Sequence, residues 1–99
     1  MQININGINY SVIQESNKFD PSAMGRCNEK QAEIYIAKDM KPDVKSNTLL
    51  HELFHVFFRA SALGEKSTEE EIVEALSNQL FSCMMHNKDF FIKMVVEEL

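Results

Sequence analysis

His51, Glu52 and His55 are the residues whose types and spacing could do chemistry. They stand in the run Thr48-Leu49-Leu50-His51-Glu52-Leu53-Phe54-His55-Val56-Phe57-Phe58, which is apolar and long enough to be a helix. Residues four apart on a helix lie one above the other, so the two imidazoles point to the same place. Two neutral imidazoles on one face supply half of a tetrahedral zinc site. Glu52 lies about 100° round from His51, on the near flank. From there a carboxylate can reach a metal-bound water without being a ligand itself. The chemistry implied is metal-assisted hydrolysis, with His51 and His55 as ligands.

A catalytic zinc needs a third protein ligand. His86 is the one other histidine, and the nearby carboxylates are Glu69, Glu70, Glu71 and Glu74. The first three suit a solvated helical first turn, where the dipole favours acids. Glu74 sits one turn deeper, inside Ile72-Val73-Glu74-Ala75-Leu76, where an unpaired charge would be costly to bury. A metal partner would explain its place, so Glu74 is the expected third ligand, ahead of Glu71 and His86. An oxyanion-stabilising group is not evident from any motif; Tyr35 and His86 are the groups available.

These residues need elements to hold them. Asn6-Gly7 between the alternating runs 2–5 and 8–14 is a hairpin signal. Residues 15–26 are loop by composition, with a short strand at about 24–27 that turns at 28–30 and pairs with Glu33-Ile34-Tyr35-Ile36-Ala37. A strand at 33–37 lying at a sheet edge would hold an extended peptide by strand addition. Pro42 suits the first turn of a helix that starts at 42–46 and runs to 61, buried nearly all round and capped by Gly64 in the left-handed region.

Ser67-Thr68-Glu69-Glu70 reads as a capping box for a second helix over 68–86, with Ile72, Val73, Ala75, Leu76, Leu80, Phe81 and Met84 inward. Asp89 caps a shorter third helix to about 98. The fold class is α+β: a minimal single domain over 1–99, with a small, mostly antiparallel sheet of three to four strands. An active-site helix, a ligand-bearing helix and a short C-terminal helix follow it.

Composition narrows the partners. With 44% hydrophobic and 25% charged residues the chain is an ordinary globular domain. Its net charge of −5, with basic residues scattered among acids, argues against nucleic acid or an anionic membrane as partner. The N-terminus lacks a basic region followed by an apolar run, and no segment has the length of a membrane span. Cys27 and Cys83 are far apart, which fits a reducing cytoplasm. Cys83 reads as a small buried hydrophobe, and Met and Phe at 81, 84, 85, 90, 91 and 94 as packing.

Eighteen residues separate His55 from Glu74, and the segment after it reads Glu74-Ala75-Leu76-Ser77-Asn78-Gln79-Leu80-Phe81. His-Glu-x-x-His followed at that interval by Glu on a second helix resembles the gluzincin branch of zinc peptidases. The second segment is similar to the Glu-x-x-Ala-Asn-x-Phe-Ala signature of ImmA/IrrE-like metallopeptidases of phages and mobile elements. Here Ser77 stands for the first Ala and Ser82 for the last. The likeness covers about residues 24–82 and is strongest over 48–81. It implies a zincin-like fold, Zn2+ held by His51, His55 and Glu74, Glu52 as base, and a protein or peptide substrate. Two other functions compete. One is a zinc-stabilised binding or regulatory module with little or no proteolysis. The other is a SprT-like protease acting on DNA-bound proteins, which would ask for a basic surface or a second zinc module, and neither is present.

Overall fold

Four strands, two long helices and a short C-terminal helical segment make up the chain in a computed structural model that describes residues 1–16 and 23–97. The strands are β1 (Gln2–Ile5), β2 (Ile8–Glu15), β3 (Gly25–Asn28) and β4 (Glu33–Ala37); the helices are α1 (Pro42–Ala60), α2 (Glu69–His86) and α3 (Lys88–Ile92), with a π-helical turn over Lys93–Glu97. The architecture is α+β. The turn signals at Pro21 and neighbouring positions, and the end of the third helix at 98, fall outside the described residues.

Asn6 and Gly7 form the hairpin turn, with φ of 54° and 87°. Both angles are positive, as a two-residue turn between right-twisted strands requires. The Gly7 N–H donates to Asn4 Oδ1 at 3.1 Å, and Asn6 Nδ2 donates to Gln79 Oε1 of α2 at 2.9 Å. The sheet order is β1-β2-β4-β3, antiparallel at β1–β2 and β3–β4 and parallel at β2–β4. The β4 segment is therefore a central strand, paired on both sides, and cannot receive a peptide at its edge. The edge beside α1 belongs to β3.

Alternation sorts the sheet into two faces. Ile3, Ile5, Tyr10, Val12, Ile34 and Ile36 are buried, and against them α1 lays Leu49, Leu53, Val56 and Phe57. The register puts Gly25 opposite Ile36 and Cys27 opposite Ile34, so both face α1. Arg26 and Tyr35 are paired on the outer face, where the guanidinium lies 3.9 Å from the ring centroid and also bonds Glu15.

Three expectations about the helices need correction. α1 is not buried all round: Phe54 and Phe58 are each 37% exposed, because the sheet covers only one side of the helix. It ends at Ala60, and the left-handed residue beyond it is Ala62 (φ 54°), which leaves Gly64 to donate its N–H to Ser67 Oγ. The third helix starts at Lys88 without a side-chain cap from Asp89. Asn87 precedes it, and its amide is occupied elsewhere. Asn4 N–H donates to Asn87 Oδ1, and Asn87 Nδ2 donates to Asn4 O, both at 2.7 Å. The side chain thus acts as one residue of an extra strand along the β1 edge.

The second helix opens on a capping box one residue later than expected, Thr68 with Glu71 in place of Ser67 with Glu70. Thr68 Oγ1 accepts from Glu71 N–H, and Thr68 N–H donates back to Glu71 Oε1, each at 3.1 Å. Of its eighteen residues only Cys83 is buried; Ile72, Ala75, Leu76, Gln79 and Leu80 are half-buried around it. Val73, Phe81 and Met84, expected inward, point to solvent, as does Met85. Phe90 and Phe91 are buried as expected, and Met94 packs partly against the core. Among the described residues no helix is long and apolar enough to cross a membrane.

Candidate metal centre

The helical period places the histidine pair as expected. Nε2 of His51 and Nε2 of His55 are 3.2 Å apart, on the side of α1 turned away from the sheet. Two zinc ligands at 2.0–2.1 Å in a tetrahedron are about 3.3 Å from each other. The pair therefore has the separation of two corners of such a site. Both rings are exposed, and with Phe54, Phe58 and Leu76 they line an open groove of about 350 Å³.

Glu52 is turned to the other flank. It is 7% exposed and lies against β3, where a Cβ built on Gly25 would be 3.4 Å from Glu52 Cγ. That approach depends on the glycine, since the same Cβ would meet Thr48 Cγ2 at 2.8 Å and Tyr35 O at 3.0 Å. No hydrogen bond or ion pair holds the Glu52 carboxylate, and no buried side-chain oxygen among the described residues lacks a partner. Its oxygens therefore reach the surface.

The structure brings His51 and His55 together at the groove and places Glu52 on the β3-facing flank of α1, outside the groove lining. It does not bring Glu74 to the groove. Glu74 is exposed on α2, about 160° round the helix from Leu76, which lines the histidine groove. It bears no burial cost, so the argument from a misplaced charge lapses. Glu71 is engaged in the capping box, and its hydrogen bonds to Thr68 hold its carboxyl below the usual range. His86 lies at the far end of α2, with Nδ1 2.8 Å from Ser82 O. Among the described residues no three His, Cys, Asp or Glu side chains gather as a metal set.

Tyr35 is on the sheet face opposite α1, and its hydroxyl donates to Glu33 at 2.8 Å. It cannot serve an oxyanion at the groove. Cys27 does face α1, but burial pushes its thiol up, with Glu29 adding to the shift and Arg59 opposing it. Two features escaped the sequence reading. One is Gly25, although a glycine inside a strand signals close approach of another element. The other is the Arg59–Glu29 pair at 2.6 Å, which ties the end of α1 to the β3–β4 turn.

Comparison of the chain with protein-family models, with curated proteins and with solved structures finds no match.

Proposed function

We propose that the chain is a zinc-dependent endopeptidase of the ImmA/IrrE-like kind, acting on a protein or peptide substrate. The observation that carries this is the 3.2 Å separation of the His51 and His55 Nε2 atoms, with an unbonded Glu52 carboxylate on the β3-facing flank of the same helix. The two imidazoles fit half of the donor set; Glu74 is proposed as the third ligand on the resemblance alone. When bound, the ion polarises a carbonyl and lowers the pKa of the water it holds. Glu52 accepts the proton of the attacking water and returns it to the leaving amine. The edge strand β3 beside Glu52 offers backbone groups to an extended substrate.

The outward position of Glu74 favours a second reading, a metal-binding regulatory module that acts by contact. Zinc content and cleavage of a fluorogenic peptide library separate the two. Under the peptidase reading, wild type binds one zinc and cleaves, Glu52→Gln keeps zinc and loses cleavage, and Glu74→Ala loses most of the zinc. Cleavage by Glu52→Gln equal to that of wild type overturns the peptidase. Full zinc in Glu74→Ala overturns the third ligand.

A further inference from the structure

The second helix shows solvent an apolar stripe that nothing in the described fold covers. Val73, Phe81, Met84 and Met85 are 55%, 67%, 43% and 49% exposed. With Ser77 they recur at intervals of three and four, so they form one stripe along α2, beside the Ile72–Leu76–Cys83 side that packs inward. Scattered exposed apolar residues need no explanation, but four large ones on one helix face do. Two of them are methionines, whose unbranched thioethers adapt to a partner's shape.

The charge around the stripe selects the partner. Glu70 and Glu74 fall on this same side of α2, and Glu69 is on the same turn. From Glu69 to Asn87 there is no Lys or Arg. The described ion pairs are Arg26–Glu15 and Arg59–Glu29, so these carboxylates have no cation within the fold. A second copy of the chain would bring only more carboxylates from its own α2 and a net charge of −5. Burying unpaired carboxylates is unfavourable, so self-association through this face is opposed.

We infer that the exposed face of α2 is a docking surface for a basic amphipathic helix of a partner protein. Its apolar side covers Val73, Phe81, Met84 and Met85, and its Lys or Arg residues meet Glu70. An eighteen-residue helix has a length of about 27 Å, enough for a partner helix of five turns. The inference is independent of the hydrolase reading, because it uses no metal and no cleavage.

The test is fluorescence anisotropy of a labelled eighteen-residue leucine–lysine amphipathic helix, titrated with the full chain in EDTA. The comparison peptides are a scramble of the same composition without an apolar face and a leucine–glutamate version. The basic amphipathic helix should bind, more weakly as salt rises, and the two comparison peptides should bind at least about tenfold more weakly. The double variant Phe81→Ser/Met84→Ser should weaken binding by about tenfold or more, and Glu70→Lys by several-fold. Asp43→Lys, on α1, should have no effect. Equal binding of the scramble or of the leucine–glutamate helix overturns the proposal, as does unchanged binding by the double variant. A wild-type dimer in sedimentation that the double variant converts to monomer also overturns it, since the occupant is then a second copy. Should the double variant lose its helical circular dichroism, Glu70→Lys alone decides.

Discussion

Gly25 on the edge strand and Thr48 on the histidine helix are packed so closely that a single added methyl would not fit between strand and helix. The obstacle is shared: Thr48 Cγ2 at 2.8 Å and the Tyr35 carbonyl at 3.0 Å stand in its way, with Glu52 Cγ just beyond at 3.4 Å. The absence of a side chain at position 25 therefore sets the distance between the free strand edge and the proposed base.

Gly25→Ala should destabilise the fold by about 1–3 kcal/mol, the usual range for overpacking. Thr48→Ser removes the nearer obstacle, so the double variant should recover part of the loss, leaving the share owed to the Tyr35 backbone. Urea unfolding of the two single variants and the double variant measures the coupling. Strict additivity would show that strand and helix do not meet at this point.

His51→Ala and His55→Ala should each change metal-free stability by no more than about 0.5 kcal/mol, because both rings are exposed. Zinc should raise the melting temperature of wild type and leave that of either variant unchanged, by simple linkage. Thermal scans with EDTA and with zinc check this. Metal-free unfolding of His55→Ala would instead mark the pair as part of the structural core.

Asn87 makes two 2.7 Å hydrogen bonds to the Asn4 backbone and donates a third, also 2.7 Å, to Cys83 O. At about 0.5–1.5 kcal/mol each, Asn87→Ala should cost about 1.5–4.5 kcal/mol. Asn87→Asp should cost more, since an acceptor would then face two carbonyl oxygens. Hydrogen exchange at the Asn4 amide should quicken in both variants and report whether the β1 edge has been uncovered.

Burial pushes the Cys83 thiol up to about 11, although Asn87 opposes the shift. The folded chain holds this proton more tightly than the unfolded chain does. The corresponding stabilisation is full below the ordinary thiol range and is lost as pH rises towards 11. Denaturation midpoints should therefore fall between about pH 9 and 11, and less so in Cys83→Ala. At pH 8 a thiol reagent should modify half-buried Cys27 before Cys83.

The local features were legible in the chain because each depends on neighbours in sequence. The meeting of His51 and His55 needs only the helical period; the Asn6-Gly7 turn needs only two positive φ angles. A capping box needs residues three apart, and the structure sets it at Thr68–Glu71, one residue beyond the Ser67–Glu70 spacing read in the chain. Tertiary structure alone decided which strand is the edge. Runs at 25–28 and 33–37 both read as strands, and the parallel pairing of β2 with β4 is what leaves β3 outside. It also decided which way α2 faces. Apolar residues spread over a broad arc of that helix, from Ile72 and Leu76 through Leu80 and Val73 to Met84 and Phe81, so periodicity does not choose which part of the arc is buried. Packing against α1 and β1 chose the Ile72–Leu76 part, and that choice turned Glu74 outward, away from the histidines.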